Sequence, residues 1–289
     1  MKKLAVLGHP IGHTLSPVMH NASIKALGLE DDYEYGKLDV SPDQLMARLA
    51  ELPAEGYAGV NLTIPLKELA FQGLLALSKV EGGGLDVSAE VLGAVNTVEF
   101  ADDGLVGHNT DGYGFLKALE EAFGKAAEND HVFVLGCGGA GRAVALMAAL
   151  DGAKALTLAD VDAQRVDALA AEVSKKTPDV EIVKLVDGGS ASCREADLVI
   201  QASPVGMKKE DPSLLPPEAF RAGQRVFDLI YMYPETAFLS TAKSTGAQVA
   251  NGLGMLLHQG AKAFEIWTGI QPDAAAMRRA LEDAVYREG

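Results

Sequence analysis

The chain has 289 residues, 48% of them hydrophobic and 22% charged, with 40 acidic against 25 basic side chains and a formal net charge of −15. That length suffices for two domains with cores of their own, and that charge argues against nucleic acid as a partner, because phosphate binding needs a basic face. The two cysteines, Cys137 and Cys193, form neither a disulfide framework nor a metal-ligand pattern, so no metal is expected and a reducing, cytoplasmic setting is.

The chain opens MKKLAVLGHPIGH, where LAVLG is too short for the apolar core of a signal peptide. No stretch approaches the roughly 20 apolar residues needed to span a bilayer. Leu4–Leu7 reads as a buried strand, and Pro17–Leu27 as a helix with Ser16 as its N-cap and Pro17 in its first turn. Tyr33–Val40 reads as a strand, and a helix capped by Ser41 runs to about Leu52. Tyr57–Ile64 is an apolar, β-branched strand stopped by Pro65, and Leu66–Leu77 is helical. The glycines at 82–84 mark a turn. Val95–Phe100 and Leu105–His108 form a hairpin across ADDG, and a helix then runs from Gly112 to Phe123.

A second run of elements follows the polar stretch KAAENDH. His131–Leu135 is a strand, RAVALMAALDGA a helix, Ala155–Ala159 a strand ending in Asp160, and Gln164–Ser174 a helix. Strands are expected at Glu181–Leu185, Leu198–Gln201 and Val226–Ile230. This alternation implies a mostly parallel α/β sheet. Leu253–Trp267 and Pro272–Arg287 are helices, the first apolar on most faces and so expected at a domain interface.

Gly136, Gly138 and Gly141 have G-x-G-x-x-G spacing between a strand and a helix. The first glycine turns the chain, the second admits a pyrophosphate against backbone, and the third lets helix and strand approach. With Gly139 and Ala140 they build a loop whose helix N-terminus offers N–H groups to phosphate. Asp160 stands 24 residues after Gly136, where a carboxylate takes ribose hydroxyls and repels a 2′-phosphate. The nearby cation is Arg165, a turn later. NAD is therefore expected over NADP. The duller reading of Asp160 is a helix cap.

GHPIGHTLSPVMHN (8–21), GVNLTIPLKE (59–68), GAVNTV (93–98) and GHNTDGYGF (107–115) are dense in polar groups beside turns. With GCGGAG, SPVGM (203–207), DLIYMYPETAFL (228–239) and NGLGMLLHQGAKAFEIWTG (251–269), they make the chain resemble the shikimate dehydrogenase family from Leu4 to about Gly269. The resemblance implies reversible hydride transfer between NAD or NADP and C3 of shikimate, giving 3-dehydroshikimate, in chorismate and aromatic amino-acid biosynthesis. It implies an N-terminal α/β catalytic domain (1–113 plus 252–289) whose C-terminal helices pack back on it. It also implies a Rossmann-type dinucleotide-binding domain (114–251), with the active site in the cleft between. The catalytic pair falls on Lys67 and Asp111, and the substrate-binding residues on Thr14, Ser16, Asn61, Thr63, Asn96, Tyr231 and Gln259. Ala202, Ser203 and Gly252 join the glycine loop, Asp160 and Arg165 as cofactor-binding residues. A monomer or homodimer without membrane attachment is expected.

As hydride leaves an alcohol carbon, the hydroxyl must lose a proton, and a positioned lysine can take it, with a carboxylate to hold the lysine. Ser16 is also expected to cap its helix whatever else it does. Two positions depart from the family. Thr14 stands where serine is usual, which adds a methyl beside the substrate carboxylate and bears on the choice between shikimate and quinate. ADVDAQR replaces the basic Asn-Arg-Thr pattern that follows the second dinucleotide strand. An NAD-dependent quinate/shikimate dehydrogenase of quinate catabolism is therefore the close alternative. A non-catalytic, metabolite-sensing homologue is the alternative from another class.

Overall fold

The computed structural model describes residues 1–12, 14–78, 83–186 and 189–287. The chain forms two compact units, Met1–Gly114 with Leu257–Gly289, and Phe115–Leu256.

The first unit is built on strands β1 (Lys2–Gly8), β2 (Tyr33–Asp39), β3 (Tyr57–Leu62), β4 (Gly84–Leu85), β5 (Thr97–Ala101) and β6 (Gly104–His108), in the order β2-β1-β3-β5-β6-β4. β1 runs parallel to β2 and β3, while β5 runs antiparallel to β3 and β6. Successive side chains of a strand point to opposite faces, and in β1 both faces are buried. Leu4 and Val6 pack with Ile24, Tyr35, Phe264 and Trp267, whereas Ala5 and Leu7 pack with Leu45, Leu49, Leu66 and Leu74. Helices α1 (Ser16–Ala26), α2 (Leu45–Glu51), α3 (Leu66–Leu77), α4 (Val87–Leu92) and the start of α5 (Asp111–Phe123) belong to this unit.

The second unit holds β7 (His131–Leu135), β8 (Ala155–Asp160), β9 (Glu181–Val186), β10 (Leu198–Gln201), β11 (Arg225–Asp228) and β12 (Gln248–Asn251). Their order is β12-β11-β10-β7-β8-β9 and every pairing is parallel. Counted from the unit's first strand this is 3-2-1-4-5-6, the doubly wound dinucleotide order, which reverses between β7 and β10. Helices α6 (Gly139–Leu150), α7 (Ala163–Lys176), α8 (Ser190–Glu195) and α9 (Ala237–Ser244) connect the strands. The buried strand residues Phe133, Val199 and Val226 pack on Cys193, Phe220, Phe238 and Leu239. Buried Arg225 bonds Asp130 and the carbonyls of Lys125 and Ala126, which fixes the approach to β7. The chain closes with α10 (Leu253–Thr268) and α11 (Ala274–Tyr286), and α11 packs along α1.

Several local expectations are corrected. Ser16 is not an N-cap: it is the first residue of α1, and Leu15 holds the cap position without a side-chain cap bond of its own. The Ser16 N–H instead donates to Thr14 Oγ1 at 3.3 Å. The helix expected to Leu52 is split, with 3₁₀ turns at Pro42–Gln44 and Leu52–Glu55 flanking a seven-residue α2. The hairpin begins at Thr97, because Val95 and Asn96 lie in the approach to β5. The helix after the glycine loop starts at Gly139, inside the loop itself. Helices α4, α8 and α9 and strands β4 and β12 had no expectation. Of the expected glycine turn, Gly82 lies outside the described residues, as does His13 of the first motif. Among the described residues no helix is long and apolar enough to cross a membrane.

Candidate active site

Pro65 ends the extended run after β3, and α3 begins one residue later with Lys67 in its first turn. A cation there opposes the helix macrodipole. The compensation comes from Asp111, the first residue of α5, where a carboxylate is favoured. Lys67 Nζ donates to Asp111 Oδ2 at 2.7 Å, and both side chains are partly exposed. Main-chain bonds hold each end. The Thr63 N–H donates to Leu7 O, the Leu66 N–H to Thr63 O, and the Val95 N–H to Lys67 O. Asn109 fixes the start of α5: its Oδ1 accepts from the Asp111 N–H at 3.0 Å, while its Nδ2 donates to Ala94 O.

Below the pair lies a bonded polar layer. Asn96 Nδ2 shares its two hydrogens among three acceptors, Thr110 Oγ1 at 2.9 Å, Asp111 Oδ1 at 3.0 Å and Gln259 Oε1 at 3.3 Å. Asn96 Oδ1 accepts from the Thr110 N–H at 2.8 Å and from Thr97 Oγ1 at 2.9 Å. Asn61 gives both amide hydrogens to the protein, to Asn96 O and Thr97 Oγ1, and accepts from the Tyr35 hydroxyl at 2.7 Å. Toward any ligand Asn61 can therefore act only through a remaining lone pair of Oδ1. Thr14 Oγ1 and Ser16 Oγ lie 3.3 Å apart before α1, and Thr63, half-buried, follows β3. The first unit thus gathers Lys67, Asp111, Asn96 and Gln259 into one bonded set, joined through Asn96 to Asn61. Tyr35, Thr97, Asn109 and Thr110 belong to the same network and were not singled out from sequence. The NTD run at 109–111 carried the signal for two of them.

In the second unit the glycine loop crosses the point where strand order reverses. Gly136 has φ of +102°, and a β-carbon there would lie 2.7 Å from Ser203 N. A β-carbon on Gly141 would lie 1.8 Å from Gly136 O, so loop and helix can close only as glycines. Gly138 and Gly139 face open space, and no side chain caps α6. That open, uncapped helix start is a fitting cradle for phosphate. Asp160, at the end of β8, accepts from the Cys137 N–H at 2.7 Å and the Asp162 N–H at 2.9 Å. The cap of α7 is Asp162, not Asp160. Val161 is 86% exposed, and Arg165 Nε lies 3.4 Å from Asp162 Oδ2.

Ala202 and Ser203 follow β10, with the Ser203 N–H donating to Gln201 Oε1 at 2.6 Å. The Gly252 N–H donates to Ile230 O. Tyr231 is half-buried in the loop after β11, and burial raises its pKa. Burial pushes Cys137 and Cys193 up to about 12, with the Asp160 charge adding at Cys137. Neither thiol is a nucleophile near neutrality. Among the described residues, no group of three or more His, Cys, Asp or Glu side chains could hold a metal ion.

The doubly wound parallel sheet and the glycine loop at its switch point define an α/β fold of the dinucleotide-binding class. Two family models match the sequence, the shikimate dehydrogenase substrate binding domain over residues 6–98 and the shikimate 5'-dehydrogenase C-terminal domain over residues 252–282. The shikimate dehydrogenase (NADP(+)) of Moorella thermoacetica is 42% identical over 285 residues, covering 98% of this chain and 93% of its own. The chain belongs to the shikimate dehydrogenase family. Shikimate 5-dehydrogenase from Thermus thermophilus, solved with NADP(H) and shikimate, matches with a TM-score of 0.82 and 40% identity, over 98% of this chain and all of that one. Quinate dehydrogenase from Corynebacterium glutamicum, solved with NAD, matches with a TM-score of 0.82 and 30% identity, over 96% and 98% of the two chains.

Proposed function

We propose that this chain is an NAD(P)-linked shikimate dehydrogenase, oxidising shikimate at C3 to 3-dehydroshikimate and reversing that step. The observation that carries the reading is the 2.7 Å bond from Lys67 Nζ to Asp111 Oδ2, set among amides and hydroxyls. In this reading residues 1–113 and 252–289 serve the substrate and residues 114–251 the cofactor. Thr14 and Ser16 take the substrate carboxylate, and Asn61, Thr63, Asn96 and Gln259 the ring hydroxyls. Tyr231 serves the substrate from the loop after β11. Lys67 moves the proton of the reacting hydroxyl, and Asp111 holds Lys67 and bonds the same hydroxyl.

Bound NAD(P) would supply the hydride acceptor. It would be held by Gly136, Gly138, Gly139, Ala140 and Gly141, with Ala202, Ser203 and Gly252. We place Asp160 at the adenosine ribose, where its charge disfavours a 2′-phosphate and exposed Val161 supplies no cation to offset it. NAD is therefore the preferred cofactor of this chain, although the Moorella relative is named for NADP(+). Both cysteines are free thiols, which fits residence in a reducing cytoplasm.

A second reading, an NAD-dependent quinate/shikimate dehydrogenase, is favoured by two features, Thr14 and the acidic Asp160–Asp162 turn. One experiment separates the readings: initial rates with shikimate or quinate, each with NAD or NADP. Fastest turnover of shikimate with NAD is expected. Quinate as the better substrate would give the second reading, and no turnover in any of the four combinations would leave a binding protein.

A further inference from the structure

His20, Asn21 and Tyr35 have no part in the function proposed above, yet they pack as a unit. Asn21 brackets the Tyr35 backbone, accepting from its N–H at 3.1 Å and donating to its carbonyl at 2.9 Å. The His20 ring stacks on the phenol, with centroids 4.1 Å apart and planes 7° apart, and Trp267 tilts against both. His20 is fully buried with neither ring nitrogen hydrogen-bonded. Burial lowers its pKa to about 3, against a smaller opposing effect of the nearby Asn61 side chain, so the ring is neutral and serves as a plate behind the phenol. The Tyr35 hydroxyl leaves this packing and donates to Asn61 Oδ1.

Main-chain groups fix the sense of everything beyond it. The Asn96 carbonyl can only accept, which assigns Asn61 Nδ2; the Thr110 N–H can only donate, which assigns Asn96 Oδ1. One arrangement of the Thr97 hydroxyl then satisfies both amides: it accepts from Asn61 Nδ2 at 3.0 Å and donates to Asn96 Oδ1 at 2.9 Å. Asn96 Nδ2 donates onward to Asp111 Oδ1. Four hydrogen bonds thus run one way, Tyr35 to Asn61 to Thr97 to Asn96 to Asp111, and end on the carboxylate that holds Lys67. Hydrogen bonds aligned in series polarise one another, and the last one bears on an anion.

We propose that Tyr35 and Thr97 are positioning residues of the active site, which orient the Asn61 and Asn96 amides and aim a directed chain of donors at Asp111. This inference rests on the shikimate dehydrogenase reading. Tyr35 fixes the chain at its far end and Thr97 closes its middle. Neither side chain is needed to touch substrate.

The test uses the full chain, with wild-type turnover of shikimate established first; if that is absent, the underlying reading fails rather than this one. Tyr35→Phe keeps the stacked ring and deletes one hydroxyl. Thr97→Val deletes the central hydroxyl at nearly constant volume. Each is expected to lower kcat/KM for shikimate about fivefold to tenfold, the scale of one interior hydrogen bond, with the cofactor KM unchanged. Thr97→Ser, which restores the hydroxyl, is expected to recover most of the loss. The double variant should be no worse than the weaker single, because links in series do not add. Wild-type kcat/KM in Tyr35→Phe, multiplied losses in the double variant, or a parallel rise in cofactor KM would overturn the proposal. If Tyr35→Phe does not fold, the Val and Ser variants at 97 decide it: equal impairment contradicts the proposal.

Discussion

Two buried polar regions, one in each unit, are built on opposite electrical principles. Beneath Lys67 and Asp111 the first unit buries neutral groups, Asn61, Asn96, Thr97 and Thr110, each bonded to protein, and leaves its ion pair partly in solvent. At the carboxyl ends of β10 and β11 the second unit buries Gln201 and Asp228 completely. Asp228 accepts from Thr236 Oγ1 at 2.6 Å and the Ile230 N–H at 3.0 Å, and burial still raises its pKa to about 6. Gln201 donates to Ser203 O and Val205 O, so the two side chains pin the loops that leave adjacent strands. Neutral dipoles keep a layer indifferent to pH beneath a partly exposed charge pair. A buried carboxyl instead makes its loop sensitive to pH.

The largest effect that would break this comparison lies at the ion pair. Asp111→Asn removes the acceptor of Lys67 and the end of the neutral layer, and kcat should fall by about a hundredfold or more. A change confined to KM would make Asp111 a binding residue. In the second unit, Gly141→Ala places a methyl 1.8 Å from Gly136 O. The cofactor KM should rise more than about tenfold, and the melting temperature should drop by several degrees, because overpacking costs about 1–3 kcal/mol. Val161→Arg adds a cation at an exposed site without touching the bonds of Asp160. The ratio of kcat/KM for NADP over NAD should rise about tenfold; an unchanged ratio would move the 2′ site elsewhere.

Two further effects are in stability against pH, and their signs are opposite. His20 has its folded pKa lowered from 6.5 to about 3. Its contribution is present above the unfolded value and is lost as pH falls from about 6.5 toward 3. Asp228 has its folded pKa raised from 3.8 to about 6. Its contribution is present below the unfolded value and is lost as pH rises from about 4 to 6. Denaturant midpoints should therefore lose acid sensitivity in His20→Phe and hold up better toward pH 7 in Asp228→Asn. Identical slopes in variant and parent would remove the buried-charge account.

Much of the dinucleotide unit was legible because its signals are local. Strand, G-x-G-x-x-G, helix and strand follow in sequence, and the spans His131–Leu135 and Leu198–Gln201 coincide with β7 and β10. Lys67 and Asp111 were legible through their motifs. In the layer beneath them Asn61, Asn96 and Gln259 were named through the same motifs, but Tyr35, Thr97 and the bonds that join the set were not, because its members come from β2, β3, β5 and α10 and meet only in the fold. Tyr35 reads as an ordinary strand aromatic, and Thr97 as an ordinary β-branched residue. Asn96 and Gln259 are 163 positions apart. Ser16 misled because serine before proline is a helix-start signal, whereas here the Thr14 hydroxyl takes the Ser16 N–H. Short α4 and α8 escaped notice because six residues carry too little periodicity to register.

The proposed mechanism gives the proton of the reacting hydroxyl to Lys67. The measurement that bears on it most directly is steady-state oxidation of shikimate by Lys67→Ala at saturating cofactor, followed by nicotinamide absorbance. The expected result is a kcat lower by about a thousandfold with the shikimate KM within a few-fold of the parent. A kcat close to that of the parent, with the whole loss in KM, would contradict it.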